Sequence, residues 1–209
     1  MVRRRLTPEQ RRNQLLDVGA EHFATNAYED VSMEAVATAA GVSRGLVYRY
    51  FPTKRDLFAA IYQRASERLL DASQLSTVGP LEDQISAGLD AHLDFFVANA
   101  RTVIEANRGA LAGDPVVQDI INSELAELRR RLLDAASLAG PQRAAASTAL
   151  GGWLAFVRAV CVDWLATQSM SRNELRALCL RSLTVAIGTT TPAPARPRPG
   201  TPKRARQRG

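Results

Sequence analysis

Apolar positions recur at helical intervals along most of this chain, and polar caps cut the pattern into pieces. Thr7-Pro8-Glu9-Gln10 supplies an N-cap hydroxyl, a proline at the first helical position and a glutamine able to close a capping box. Leu15, Val18, Gly19, His22 and Phe23 follow with helical spacing, which predicts a helix over about 8–25. Ser32 caps a second piece, about 32–40, whose Met33, Val36, Ala37 and Ala40 form one stripe. Gly41 stops it, and Ser43 caps a third piece, about 43–50. Thr53 caps a fourth, reaching about 75, with Asp56 at the capping-box position and Leu57, Ile61, Ala65 and Leu69 on one face. Beyond Gly79-Pro80 the pieces lengthen to about 81–99, 101–111, 115–138, 142–168 and 172–188. Asp114-Pro115, Gly140-Pro141 and the Ser171 to Glu174 spacing mark the joints. No run alternates with the two-residue period of a strand, and no internal repeat is present. The fold class is all-α, with about nine helices.

The second and third pieces are joined by Gly41-Val42, a turn of helix-turn-helix length. A helix of two turns is not stable alone, so the Met33, Val36, Ala37 stripe must pack on its neighbours. In the third piece Val47 and Phe51 are four apart and face inward, which leaves Arg44, Gly45, Tyr48 and Arg49 outside. Such a set suits a DNA major groove. Arginine can hold guanine O6 and N7 with two hydrogen bonds, glycine admits a close backbone approach, and tyrosine and lysine groups can hold phosphates. On spacing alone, a helical hairpin with a solvated charged face remains the alternative.

Composition and charge change this picture little. Ala, Leu, Arg and Glu abundance favours helix. The net charge is +6, but the segment from Thr190 to the end holds Arg196, Arg198, Lys203, Arg204, Arg206 and Arg208 and no acid. The basic balance therefore belongs to that tail, which is rich in Pro and Arg and is expected to be disordered. No run is read as approaching the roughly 18–20 apolar residues of a membrane span, and no signal core follows Met1. A cytoplasmic location without a membrane partner is expected. Cys161 and Cys179 are read as buried reduced thiols. His22 and His92 are the only histidines, no Cys/His cluster has metal spacing and no phosphate loop follows a strand, so no catalytic site, metal or cofactor is expected.

Residues 31–58, VSMEAVATAAGVSRGLVYRYFPTKRDLF, carry a more specific signal. They follow the pattern S-(hydrophobic)-x-x-(I/V)-A-x-x-A-G-V-S-x-G-x-(L/I/V)-Y-x-(H/Y)-F-x-x-K-x-x-L, and the segment resembles the DNA-binding domain of TetR/AcrR-family transcriptional regulators. The likeness covers roughly residues 8–62. It implies an N-terminal three-helix DNA-binding domain over 1–52 with a basic arm over 1–7. It further implies a helical ligand-binding and dimerisation domain over 53–189, followed by the tail at 190–209. By position, Arg44, Gly45, Leu46 and Arg49 would read bases, while Ser32, Ser43, Tyr48, Tyr50 and Lys54 would hold the phosphate backbone. Arg3, Arg4 and Arg5 either reach the minor groove or backbone, or form a frayed terminus. The family usually has glycine where this chain has Ala27, so either Ala27 is strained or Asn26 takes the left-handed cap.

The resemblance also implies a homodimeric repressor, released from palindromic double-stranded DNA by a small, hydrophobic, unidentified effector. Small residues among large ones in the piece at 142–168 fit a dimer face, with Leu150, Gly152, Val157, Val160 and Trp164 as candidates, against a plain intrachain core. Effector candidates are Phe96, Ile104, Asn107, Arg108, Glu124, Trp153 and Phe156, a stripe that also reads as ordinary core. Arg108 and Glu124 would be costly to bury unpaired, so each needs a partner, a ligand or water.

Overall fold

The computed structural model describes residues 6–74 and 80–188. Nine helices and no strand are found among them: α1 (Pro8–Thr25), α2 (Met33–Ala39), α3 (Arg44–Tyr50), α4 (Lys54–Ala72), α5 (Leu81–Ala98), α6 (Ala100–Asn107), α7 (Pro115–Ala135), α8 (Gly140–Thr167) and α9 (Arg172–Gly188). The all-α expectation holds. The basic arm at Arg3–Arg5 and the tail from Thr190 lie outside the described residues.

The caps act as the sequence reads. Thr7 and Gln10 close a capping box at α1, as do Thr53 and Asp56 at α4. Ser32 and Ser43 accept from the third backbone N–H of α2 and α3. Glu174 accepts from the Ser171 N–H at 2.8 Å ahead of α9. Two boundaries move. α6 stops at Asn107, because the Arg108 and Gly109 N–H groups both fold back on the Ile104 carbonyl and Glu105 accepts from the Ala110 N–H. α7 stops at Ala135, where Ser137 turns left-handed at φ 52°.

Two hydrophobic cores organise the helices. The first holds Leu15, Leu16 and Phe23 of α1, Val36 and Ala37 of α2, Val47 of α3, and Leu57, Phe58, Ile61 and Tyr62 of α4. It also takes Ala106, Leu111, Val117 and Ile121 from α6, α7 and their joint. α1 and α4 cross closely at Gly19, where a Cβ would stand 2.9 Å from Ile61 Cδ1 and 3.3 Å from both Leu57 methyls. The second core joins α5, α7, α8 and α9 through Leu93, Phe96, Leu133, Trp153, Val157, Cys161, Leu175 and Cys179.

Helix α8 corrects one expectation. By length and composition its 28 residues are apolar enough to cross a membrane. Here the apolar side is committed to protein: Leu150, Trp153, Leu154, Val157, Cys161 and Val162 are all buried in the second core.

Candidate nucleic-acid interface and effector cavity

α2 is too short to hold itself, and its neighbours supply what it lacks. Met33, Val36 and Ala37 are buried in the first core. The Gln14 amide of α1 donates to the Ala40 carbonyl at 3.1 Å, covering the C-terminal end of α2. Gly41 takes φ +64°, and its N–H reaches Thr38 while the Val42 N–H reaches Ala37, both at 3.0 Å. This six-residue closure requires the left-handed backbone that glycine adopts without penalty, and it sets the angle between α2 and α3.

α3 is pinned by Val47, which is fully buried, and by Phe51, 2% exposed at its end. Arg44, Gly45 and Arg49 stand exposed on the opposite side, and Leu46, Tyr48 and Tyr50 are half-buried at its flanks. Arg44 lies 5.3 Å over the Tyr48 ring. Beyond its own helix's backbone, a Cβ on Gly45 would meet nothing within 4 Å, so its small size answers to no packing group among the described residues. Ser32 and Ser43 are exposed but spend their hydroxyls on caps. Lys54 differs from the free grip expected of it. Its ammonium donates to the Tyr28 and Glu29 carbonyls at 2.7 and 3.0 Å and lies 4.5 Å from the Tyr28 ring.

The turn before α2 is unstrained. Asn26 is extended at φ −120°, its amide donates to the His22 carbonyl, and the Ala27 carbonyl accepts from Asp30 N–H. Neither residue is left-handed, which removes both alternatives raised for this turn: Ala27 needs no positive φ, and Asn26 does not supply one.

The effector candidates do not converge. Trp153 lines a largely apolar cavity of about 50 Å³ with Ile85, Leu89, Leu128 and Val157, and three polar groups, Ser73, His92 and Arg131, share that lining. Asn107 and Arg108 instead border an open groove of about 340 Å³ beside Ala155 and Arg158. Arg108 is exposed and pairs with Asp163 at 2.9 Å, so its partner is a surface acid rather than a ligand. Phe156 is 36% exposed and points away from the core. Phe96 is fully buried, and Ile104 is half-buried and lines neither space. Of the dimer candidates, Leu150, Val157 and Trp164 are buried in the chain's own core. Gly152 is exposed and Val160 half-buried.

Glu124, 1% exposed, finds its partners in a buried network that sequence reasoning missed. Arg158 of α8 donates to Glu124 Oε1 at 2.8 Å, to the Tyr62 hydroxyl at 2.5 Å and to Asn107 Oδ1 at 3.1 Å, while Ser66 donates to Glu124 Oε2 at 2.7 Å. Burial pushes the Tyr62 phenol up from its ordinary range. On the other side Arg158 faces Phe96, 5.7 Å from its ring, and His92 lies tilted against Phe96 with ring centroids 4.2 Å apart. Burial, with the Arg158 charge adding to it, lowers the His92 imidazole to about 3, so it is neutral in ordinary solution. The clue available in the sequence was Arg158 itself, the only charged residue between Gly151 and Val162.

The comparisons with known proteins agree with this geometry. The family model for bacterial regulatory proteins of the tetR family matches residues 15–61, the stretch from α1 to α4. The transcriptional activator FasR of Mycolicibacterium smegmatis is 32% identical over 93 residues, 44% of this chain and 42% of that protein. The repressor KstR of Rhodococcus jostii is 39% identical over 61 residues, 29% of each chain. The chain thus matches less than half the length of these curated relatives. A tetR-family regulator from Streptomyces coelicolor superposes with a TM-score of 0.80 at 26% identity, covering 88% of this chain and 83% of its own. The regulator FadR of Bacillus subtilis, solved with stearoyl-CoA, shares the fold at a TM-score of 0.62 and 16% identity, over 84% of this chain and 97% of its own. The helix-turn-helix geometry agrees with the matched segment: residues 15–61 are similar to the tetR family of bacterial regulatory proteins, and the described helices share the fold of TetR-family regulators.

Proposed function

We propose that this chain is a cytoplasmic, homodimeric repressor that binds a palindromic operator and leaves it when a small apolar effector enters the helical domain. Residues 1–52 serve as the DNA-binding domain and 53–189 as the effector and dimer domain. The observation that carries the reading is α3: a short helix fixed by a buried Val47, with Arg44, Gly45 and Arg49 exposed on its outer side. In a major groove the arginines contact base edges, and Tyr48, Tyr50 and the capped N-termini of α2 and α3 face phosphates. Lys54 keeps one N–H for phosphate while its other two brace the turn before α2.

Dimerisation falls to the outer side of α8, where Gly152, Ala155, Phe156 and Ala159 are exposed in a helical stripe, with Val160 at its edge. A two-fold pair then meets half-sites about one helical turn apart, roughly 34 Å. The buried network supports the coupling. Tyr62 belongs to the core beneath the reading helix, His92 borders the effector cavity, and Arg158 stands just beyond its wall against the Phe96 ring that His92 also meets, so a shift of α8 against α5 reaches α4 through the Arg158–Tyr62 hydrogen bond.

Selection of bound sites from random duplex DNA tests this directly. The expected product is a palindrome. Recovery of unrelated sequences with equal affinity would overturn the reading, and a direct repeat would overturn the two-fold dimer.

A further inference from the structure

The cavity among α4, α5, α7 and α8 has apolar walls and two unsatisfied polar atoms. Ser73 Oγ and His92 Nε2 are buried without a hydrogen-bond partner among the described residues, and both residues line this one space. Ser73 is 5% exposed and His92 7%. A buried polar atom left unpaired costs its full desolvation, so folded chains seldom keep two in one place without a partner to fill them.

The charged side chains around the cavity already hold partners. Arg131, the cation in the lining, donates to Glu127 at 2.7 Å and to the Leu70 carbonyl. Arg158, just beyond the wall, is enclosed by Glu124, Tyr62 and Asn107. A carboxylate, phosphate or ammonium group entering here would lose its hydration and have to compete with the partners these cations already hold. A hydroxyl is different, because it donates once and accepts twice. It therefore satisfies a serine hydroxyl and an imidazole nitrogen in either tautomer.

We infer that this cavity holds the polar end of an uncharged, largely apolar effector, whose single hydroxyl bridges Ser73 and His92. The inference rests on the effector-responsive reading above and names the ligand class. The volume of about 50 Å³ exceeds what one water needs, on the order of 10–15 Å³, and falls short of the roughly 150 Å³ that takes a benzene ring. It seats a hydroxyl and its first few carbons. The rest of the ligand displaces the side chains of Leu89, Leu128 and Leu132, which form the wall with Trp153.

Titration of the full-length protein without DNA, using 1-hexanol, hexanoate and hexylamine, tests the assignment. The ring signals of His92 and the melting temperature are the readouts, and with two histidines in the chain the signals are readily separated. Hexanol is expected to shift the His92 signals saturably and to bind at least tenfold more tightly than either charged analogue. Ser73→Ala and His92→Leu should each weaken hexanol binding about tenfold, the loss of one well-made hydrogen bond. Ser73→Ala alone decides the point if His92→Leu does not fold. Equal binding of hexanoate, hexanol binding indifferent to Ser73→Ala, or no saturable response to any probe would overturn the inference, the last by leaving the two atoms to water. Because no DNA is present, such a failure leaves the operator reading standing, and failure to select an operator leaves this titration unaffected.

Discussion

Gly45 and Gly19 are both helical glycines, and the space around them separates their roles. Beyond its own helix's backbone, no described group lies within 4 Å of a Cβ built at Gly45, so Ala there gains helix propensity worth up to about 1 kcal/mol and should raise stability. The same methyl would stand between the backbone and a base edge, so operator affinity should fall while random-duplex affinity holds. Denaturation and paired binding isotherms check both, and unchanged operator affinity would remove Gly45 from the interface. Arg44→Ala or Arg49→Ala should cost about 1–3 kcal/mol on the operator if each makes a bidentate base contact. Equal losses on operator and random DNA would recast them as phosphate contacts. His92 gives a pH prediction. Its imidazole takes a proton near 6.5 when the chain is unfolded and near 3 when folded. Between those values the unfolded chain binds the extra proton, so stability is lost as pH falls from about 6.5 towards 3, by up to about 1.4 kcal/mol per pH unit. His92→Leu should flatten this slope relative to wild type; parallel profiles would place the imidazole in water.

Among the elements, α4 and α8 carry the most consequence. α4 gives Leu57, Phe58, Ile61 and Tyr62 to the first core, and Phe58 meets Phe23 and Tyr28 edge-on at 5.2 and 5.8 Å. Its Tyr62 and Ser66 also close the shell around Glu124 and Arg158. Breaking that pair from one side leaves a buried charge uncompensated, so Glu124→Ala should destabilise the protein by about 3–5 kcal/mol. The double replacement Glu124→Leu with Arg158→Met removes both charges and should cost far less. Urea unfolding decides it: if the double variant is as unstable as Glu124→Ala, packing rather than charge holds these helices together. The double variant should also lose the link between effector and DNA, since Tyr62 would no longer be tied to α8. Helix α8 itself is apolar on nearly every side for two reasons. Its inner stripe fills the second core, and its outer stripe of Gly152, Ala155, Phe156 and Ala159 faces outward unfilled.

At the scale of the molecule, the proposed dimer turns on that outer stripe. Phe156→Glu should yield a monomer by sedimentation and abolish binding to a two-fold site while sparing the fold, because the side chain is 36% exposed. A dimer that survives this change would place the interface elsewhere. The helices were legible from sequence because helix ends are local events: Thr7, Ser32, Ser43, Thr53 and Asp114 each cap within three residues of themselves, and Gly41 turns the chain by its own backbone freedom. The outward set of α3 was legible for the same reason, since seven residues and one buried valine fix which side faces out. The other half of the chain resisted. Leu150, Val157 and Trp164 have the spacing of an interface but point into the chain's own core, and periodicity cannot tell one partner from another. Cys161 and Cys179, eighteen positions apart, lie together where α8 and α9 pack. The Arg158–Glu124 pair spans 34 positions, and the cavity gathers Ser73, His92 and Trp153 from three helices. The sequence by itself determined the elements, the turn and the outward face of α3, because each depends on neighbours a few residues away. Only the tertiary structure decided which apolar faces are spent inside, which charges pair and which polar atoms stay unpaired among the described residues, because those depend on groups that meet only when distant helices pack.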